Sequence, residues 1–344
     1  MALPVNKRVL KILFILFVVA FCVYLVPRVA INFFYYPDDK IYGPDPWSAE
    51  SVEFTAKDGT RLQGWFIPSS TGPADNAIAT IIHAHGNAGN MSAHWPLVSW
   101  LPERNFNVFM FDYRGFGKSK GTPSQAGLLD DTQSAINVVR HRSDVNPQRL
   151  VLFGQSIGGA NILAVIGQGD REGIRAVILD STFASYATIA NQMIPGSGYL
   201  LDESYSGENY IASVSPIPLL LIHGKADHVI PWQHSEKLYS LAKEPKRLIL
   251  IPDGEHIDAF YDRHGDVYRE QMVDFILSAL NPHSLRHFPE QTLAILINYA
   301  YGRSTDDAYA CSTICPFGSP APLPDLADAL SAGVDRHHGN LQRA

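Results

Sequence analysis

Along the middle of the chain the apolar residues gather in short continuous runs, separated by segments rich in Gly, Pro and Asn. The runs cover 79–82, 107–111, 150–153, 176–179, 219–222 and 248–251. A strand with one wet face alternates apolar and polar residues, whereas a strand covered on both faces needs no polar positions. Uninterrupted runs of this length therefore predict parallel strands. An earlier pair, 52–54 and 62–67, flanks Lys57-Asp58-Gly59-Thr60, a turn signal that predicts a hairpin. Between the runs the period becomes helical. Leu129, Ile136 and Val139 fall near one face of 125–142, and 157–166 is small and apolar, as suits a helix packed beneath a sheet. Segments 232–241 and 268–280 complete the alternation. Repeated strand–helix units predict an α/β fold with a mostly parallel central sheet and helices on both faces. After Leu280 the rhythm stops. Asn281-Pro282 ends the last helix, 291–301 is a single further helical stretch, and 282–344 is an unassigned tail.

The amino-terminal segment has another texture. From Val9 to Val26 the chain carries one charge, Lys11, and no proline. That is close to the ~20 residues needed to span ~30 Å of hydrocarbon as helix. Lys7, Arg8 and Lys11 lie at its start, where long stems can snorkel to headgroups. Tyr24 and then Phe33-Phe34-Tyr35-Tyr36 fit an aromatic belt at the far interface. No small-x-small cleavage site follows, so the pattern predicts an uncleaved signal anchor over 1–30, with a transmembrane helix at about 9–26. The positive charges place the amino terminus in the cytoplasm and the rest on the outer, periplasmic side of the bilayer. Residues 31–50 then read as a juxtamembrane linker and 51–281 as the main domain, interrupted at 182–218 by a small apolar lid or a surface excursion.

Composition narrows the function. With 344 residues, 46% hydrophobic and 18% charged, the chain can bury a large core, which excludes disordered and disulfide-dense classes. A net charge of −7, from 27 Lys+Arg against 34 Asp+Glu, lacks the basic field that binding to nucleic acid requires. Cys22, Cys311 and Cys315 form no metal-binding framework.

The chemistry concentrates at strand ends. Gly154-Gln155-Ser156-Ile157-Gly158 follows one apolar run and precedes a helix, the context of a nucleophile elbow. A serine hydroxyl is a poor nucleophile at neutral pH and requires a histidine base held by a carboxylate. After the next runs come His223-Gly224-Lys225-Ala226-Asp227 and Asp253-Gly254-Glu255-His256. Carboxyl ends of parallel strands converge on one crevice, so Ser156, Asp227 and His256 can meet there. Asp180 also ends a run and rivals Asp227 as the acid, although Asp180-Ser181-Thr182 reads well as a helix cap. Among 13 histidines, His83 and His223 sit at or within strands and read as packed or hydrogen-bonded. The tetrahedral intermediate needs two N–H donors. Ile157 at the helix start supplies one, and Asn87 in Ala84-His85-Gly86-Asn87-Ala88-Gly89-Asn90 the other. Tyr113-Arg114-Gly115-Phe116-Gly117 lacks the third glycine of a phosphate fingerprint and reads as a rim loop, with Arg114 structural or rim-positioning.

These motifs together resemble the α/β-hydrolase superfamily, in particular bacterial membrane-anchored members related to prolyl-oligopeptidase-like and depalmitoylase-like hydrolases. The likeness runs from the start to about Pro282. It implies Ser156 as nucleophile, Asp227 as acid and His256 as base, in agreement with the residue-level reading. It names no substrate. The expected activity is hydrolysis of acyl esters or thioesters, small-molecule or lipid-like, through an acyl-enzyme. No cofactor or metal is implied. A serine peptidase of prolyl-oligopeptidase-like type and a non-catalytic, membrane-tethered binding module stand as alternatives.

Overall fold

The structure is a computed structural model, and it describes residues 7–43, 46 and 48–281, with the side chains of 22–33 left out. Helix α1 (Lys7–Phe34) leads into a two-residue strand, β1 (Tyr36–Pro37). The body follows with β2 (Glu50–Thr55), β3 (Arg61–Ile67), β4 (Ala79–Ala84), β5 (Ala88–Gly89) and α2 (Met91–Val98). Next come β6 (Phe106–Asp112), α3 (Gln125–Arg140), β7 (Leu150–Gln155), α4 (Ile157–Gly167) and β8 (Ile174–Asp180). The order closes with α5 (Tyr186–Met193), β9 (Leu219–Gly224), α6 (Gln233–Leu241), β10 (Lys246–Ile251) and α7 (Val267–Leu280).

Eight strands form one sheet in the order β10-β9-β8-β7-β4-β6-β3-β2. Neighbours from β10 to β6 are parallel. The hairpin β2–β3 is antiparallel and joins antiparallel to β6. Gly59 turns this hairpin at φ 86°, a conformation in which a side chain would be strained. The continuous apolar runs have a simple cause. Leu150 and Leu152 of β7 pack on one face with Ile136 of α3 and Ile162 of α4. Val151 and Phe153 pack on the other with Phe275 and Ile276 of α7. Both faces of the central strands are thus covered, as expected. The chain leaves β4 for β6 on one side and then returns to β7 on the other. The crevice beyond the carboxyl ends of β4 and β7 is therefore the switch point at which ligands bind in such sheets.

Four departures from the sequence reading matter. Helix α2 is unexpected because Pro96 lies inside it; Asn90 caps it, its side chain accepting from the Ser92 N–H at 3.0 Å. The segment expected as a lid holds α5 and four short 3-10 turns between Ser197 and Ser213. Ser185 caps α5, so Asp180 is not the helix cap it resembled; it lies buried at the end of β8. The expected linker over 31–50 is, from Tyr35 to Tyr42, docked on the body, as described below.

Helix α1 is longer than the expected span, and its apolar side chains from Val9 to Phe21 stand exposed. Among the described residues no helix is long and apolar enough to cross a membrane. The far end of the span expected at 9–26 has side chains outside the described residues. The helical stretch expected at 291–301, with the rest of 282–344, also lies outside them.

Candidate active site

Ser156 stands between β7 and α4 with φ 54° and ψ −118°, a strained backbone for a residue with a side chain. The flanking glycines explain how the turn closes. A Cβ on Gly154 would lie 2.6 Å from the Gly159 Cα; one on Gly158 would overlap the Ala84 carbonyl, and one on Gly159 the Thr182 side chain. The elbow is therefore pressed against the backbone at the end of β4 and against the Thr182 side chain just past β8. The Ser156 N–H donates to the Asp180 carbonyl at 2.8 Å, and α4 is buried along nearly its whole length. That packing offsets a backbone strain of about 1–3 kcal/mol.

The loop after β9 carries Asp227 and the loop after β10 carries His256. His256 Nδ1 lies 2.7 Å from Asp227 Oδ2. Asp227 Oδ1 accepts from the Val229 and Ile230 N–H groups at 2.8 and 2.7 Å. Burial would raise the Asp227 carboxyl, but hydrogen bonds from His223 and His256 outweigh it and hold the group well below the usual carboxylate range. An ionised carboxylate only accepts, so Nδ1 of His256 carries the proton of this bond.

Asp227 has a second histidine behind it. His223 Nε2 lies 3.1 Å from the same Oδ2 and 2.8 Å from the Ile230 carbonyl, while its Nδ1 lies 2.7 Å from the Ser235 hydroxyl. Two acceptors at Nε2 place the proton there, with Ser235 donating to Nδ1.

Backbone and hydroxyl contacts stitch the three strand ends together. The Ile257 N–H, next to His256, donates to the Ser181 hydroxyl at 3.1 Å, and Ser181 follows the Asp180 whose carbonyl holds Ser156. Ser156, Ser181 and Ile257 all have φ between 51° and 54°. Backbone strain is thus gathered at one edge of the sheet, where surrounding structure must hold it. Among the described residues no hydrogen bond joins the Ser156 hydroxyl to His256.

Asp180, the rival acid, makes no hydrogen bond with His256. Its Oδ2 accepts from Gln155 Nε2 at 3.0 Å and its Oδ1 from the Ser181 hydroxyl at 3.1 Å. Burial pushes its carboxyl up to about 6, partly offset by Gln155. Gln155 Oε1 in turn accepts from His83 at 2.9 Å, so a buried polar chain runs beneath Ser156. Burial, reinforced by His94, holds His83 at about 3 and therefore neutral.

The loop between β4 and α2 brings Gly86 against Ser156, with a Cβ there only 3.7 Å from that of the serine. Asn87 spends its Nδ2 on the Phe34 carbonyl at 2.6 Å, which leaves its backbone N–H as its remaining donor. No hydrogen bond among the described residues claims that N–H or the N–H of Ile157. Ile157 opens α4, where the helix dipole favours negative charge. His94 of α2 steadies the loop from below, its Nε2 donating to the Ala88 carbonyl at 3.1 Å.

Arg114 is engaged by carboxylates of neighbouring segments. Its Nε and Nη2 meet Asp131 Oδ1 at 3.0 and 2.7 Å, and Nη1 meets Asp58 Oδ2 at 2.7 Å. It is a structural clamp, as one reading of its loop expected. Among the described residues no group of three or more His, Cys, Asp or Glu side chains is placed to hold a metal.

Sequence reasoning did not single out His94, the role of His223 behind Asp227, or the docked segment at Tyr35–Tyr42. His223 lies four residues before Asp227, but that spacing has meaning only once the strand end is known. His94 carries no pattern at all.

Relatives place this architecture. A family model described as serine aminopeptidase, S33, matches residues 75–205. The YfhR protein of Escherichia coli O157:H7 is 98% identical over 284 residues, 83% of this chain and 100% of the relative. The α/β-hydrolase domain-containing protein WAV2 of Arabidopsis thaliana is 31% identical over 249 residues, 66% of this chain and 78% of the relative. The esterase Pf2001 of Pyrococcus furiosus superposes with a TM-score of 0.59 at 19% identity, covering 72% of this chain and 100% of that one. The chain belongs to the YfhR proteins of the α/β-hydrolase superfamily.

Proposed function

We propose that the protein is a membrane-anchored serine hydrolase that cleaves acyl esters or thioesters. The observation that carries this reading is the 2.7 Å bond between His256 and a buried, ionised Asp227, at the same sheet edge as a strained, glycine-flanked Ser156. In the proposed mechanism His256 Nε2 takes the Ser156 proton as the oxygen attacks the acyl carbonyl. Asp227 holds Nδ1–H and stabilises the imidazolium. The N–H groups of Asn87 and Ile157 receive the oxyanion, and collapse returns the proton to the leaving alcohol or thiol. Water then repeats the sequence on the acyl-enzyme. The region 182–218 would serve as the lid, with Met193, Ile194 and Tyr199 offering exposed apolar surface for an acyl chain.

Anchoring is supported by α1. From Val9 to Phe21 its large apolar side chains stand 39% to 67% exposed, a surface that water penalises and hydrocarbon accepts. With Lys7, Arg8 and Lys11 at the near end, the catalytic domain would face the periplasm. A carboxy-terminal phosphatase fusion should then be active; activity of a cytoplasmic reporter alone would reverse the topology.

A peptidase is the second reading, favoured by the description of the matching family model. The discriminating assay compares kcat/KM for p-nitrophenyl esters, acyl thioesters and peptide anilides on the detergent-solubilised full chain. Faster ester or thioester turnover supports the proposal. Faster anilide turnover selects the peptidase, and no turnover by folded protein selects a binding module.

A further inference from the structure

We infer that the segment from Phe34 to Tyr42 is a positioning strap for the oxyanion loop, which makes the end of α1 part of the catalytic apparatus. The inference rests on the serine-hydrolase reading above. A loop with Gly86 and Gly89, the latter at φ 72°, has more backbone freedom than a donor aimed at an oxyanion can tolerate. Something must remove it. His94 and the cap of α2 hold the inner side of the loop. The strap holds the outer side.

The contacts are dense and mostly made by backbone. The Tyr36 N–H donates to the Asn87 carbonyl at 3.3 Å and the Asp38 N–H to the Gly89 carbonyl at 3.2 Å, forming the parallel pair β1–β5. Asn87 Nδ2 donates to the Phe34 carbonyl at 2.6 Å. Asn90 Nδ2 donates to the Asp38 and Lys40 carbonyls at 2.9 and 2.7 Å. The Tyr42 N–H reaches the Ser92 hydroxyl at 3.1 Å, and the Asp38 carbonyl also accepts from Gly117 at 3.0 Å. Tyr35 is buried beside Phe34, whose ring lies 5.7 Å from that of Tyr186 in α5. Both the carbonyl and the Nδ2 of Asn87 are thus held by the strap, while its N–H and its buried Oδ1 are left unclaimed. The carbonyl that receives Asn87 Nδ2 belongs to the last residue of α1. Movement of that helix is delivered directly to the proposed donor.

The test uses two substitutions in the full chain. Asn90→Asp keeps the acceptor that caps α2 and removes the two donors to the strap. Asn87→Ala keeps the backbone N–H and removes the donor to Phe34 without adding a charge beside the proposed oxyanion site. Removing one oxyanion donor outright costs about 10²–10³ in kcat. Each variant is therefore expected to lose ~10-fold or more in kcat, with KM held. Affinity for a trifluoromethyl ketone, which presents a tetrahedral oxyanion, should fall in parallel. Circular dichroism and Tm report whether each variant is folded. If either folded variant keeps kcat within twofold of wild type, the strap's role is overturned. A fall that merely tracks the unfolded fraction, with inhibitor affinity per folded molecule unchanged, also overturns it. Wild-type turnover and Ser156 labelling separate the two failures: if both are absent, the hydrolase reading falls and the strap's role with it.

Discussion

Replacing Asp227 by Asn probes the electrostatic centre of the site with almost no change in shape. Asp227 Oδ1 accepts from Val229 and Ile230, and an Asn carbonyl can keep both bonds. The change falls on Oδ2, which faces His256 at 2.7 Å and His223 at 3.1 Å. An amide N–H₂ placed there donates where the carboxylate accepted. His256 must then present a bare Nδ1 and carry its proton on Nε2, so the base is already protonated when Ser156 needs it. The same swap at a serine-hydrolase triad costs about 10⁴ in kcat, ~5.5 kcal/mol of transition-state stabilisation. His223 must also shift its proton to Nδ1, which deprives the Ile230 carbonyl of the donor at 2.8 Å. One buried unpaired acceptor costs about 1–3 kcal/mol, so the urea midpoint should fall as well. The assay is kcat on a short p-nitrophenyl ester beside urea unfolding. Asp180→Asn is the control, because Asp180 is bonded to Gln155 and Ser181 and not to His256; it should lose less than about tenfold. An Asp227→Asn enzyme that keeps a tenth of its activity, or a larger loss in Asp180→Asn, would refute the reasoning.

Two further expectations concern the scaffold. Arg114→Ala should destabilise the fold by about 3–5 kcal/mol in urea unfolding, since it strands the buried Asp131 carboxylate. Arg114→Lys should not restore it, because one ammonium cannot replace the forked contacts to Asp131 and Asp58. Asp112 accepts from the Met91 N–H at 2.7 Å, and burial pushes its carboxyl up to about 7. A folded-state pKa above the unfolded ~4 means that the stabilisation is complete below that value. It is lost as pH rises through about 7, and Asp112→Asn, which keeps an acceptor for Met91, should flatten that decline in unfolding free energy between pH 5 and 8.

The sheet was legible because burial on both faces leaves strands such as 150–153 and 219–222 without polar positions. Their ends were less so. β7 and β8 run on through Gln155 and Asp180, polar residues that pair in the sheet and bond to each other beneath Ser156. Ser156, Asp227 and His256 could be singled out because each follows a strand, and the structure joins His256 to Asp227 at 2.7 Å. Asp180 misled because a carboxylate at a strand end reads alike whether it caps a helix, serves a histidine or is buried under an elbow. The strap escaped notice for a different reason. Its bonds to Asn87 and Asn90 run through its own N–H and carbonyl groups, which every residue carries, so no pattern of residue types marks them. Helix α2 was concealed by Pro96.

Covalent trapping addresses the nucleophile itself. The full chain in detergent would be treated with a fluorophosphonate and its intact mass and peptide map recorded. The account predicts one adduct, on residue 156, that vanishes when the hydroxyl is removed by Ser156→Ala. Labelling that persists in the alanine variant, or that maps elsewhere, would contradict it.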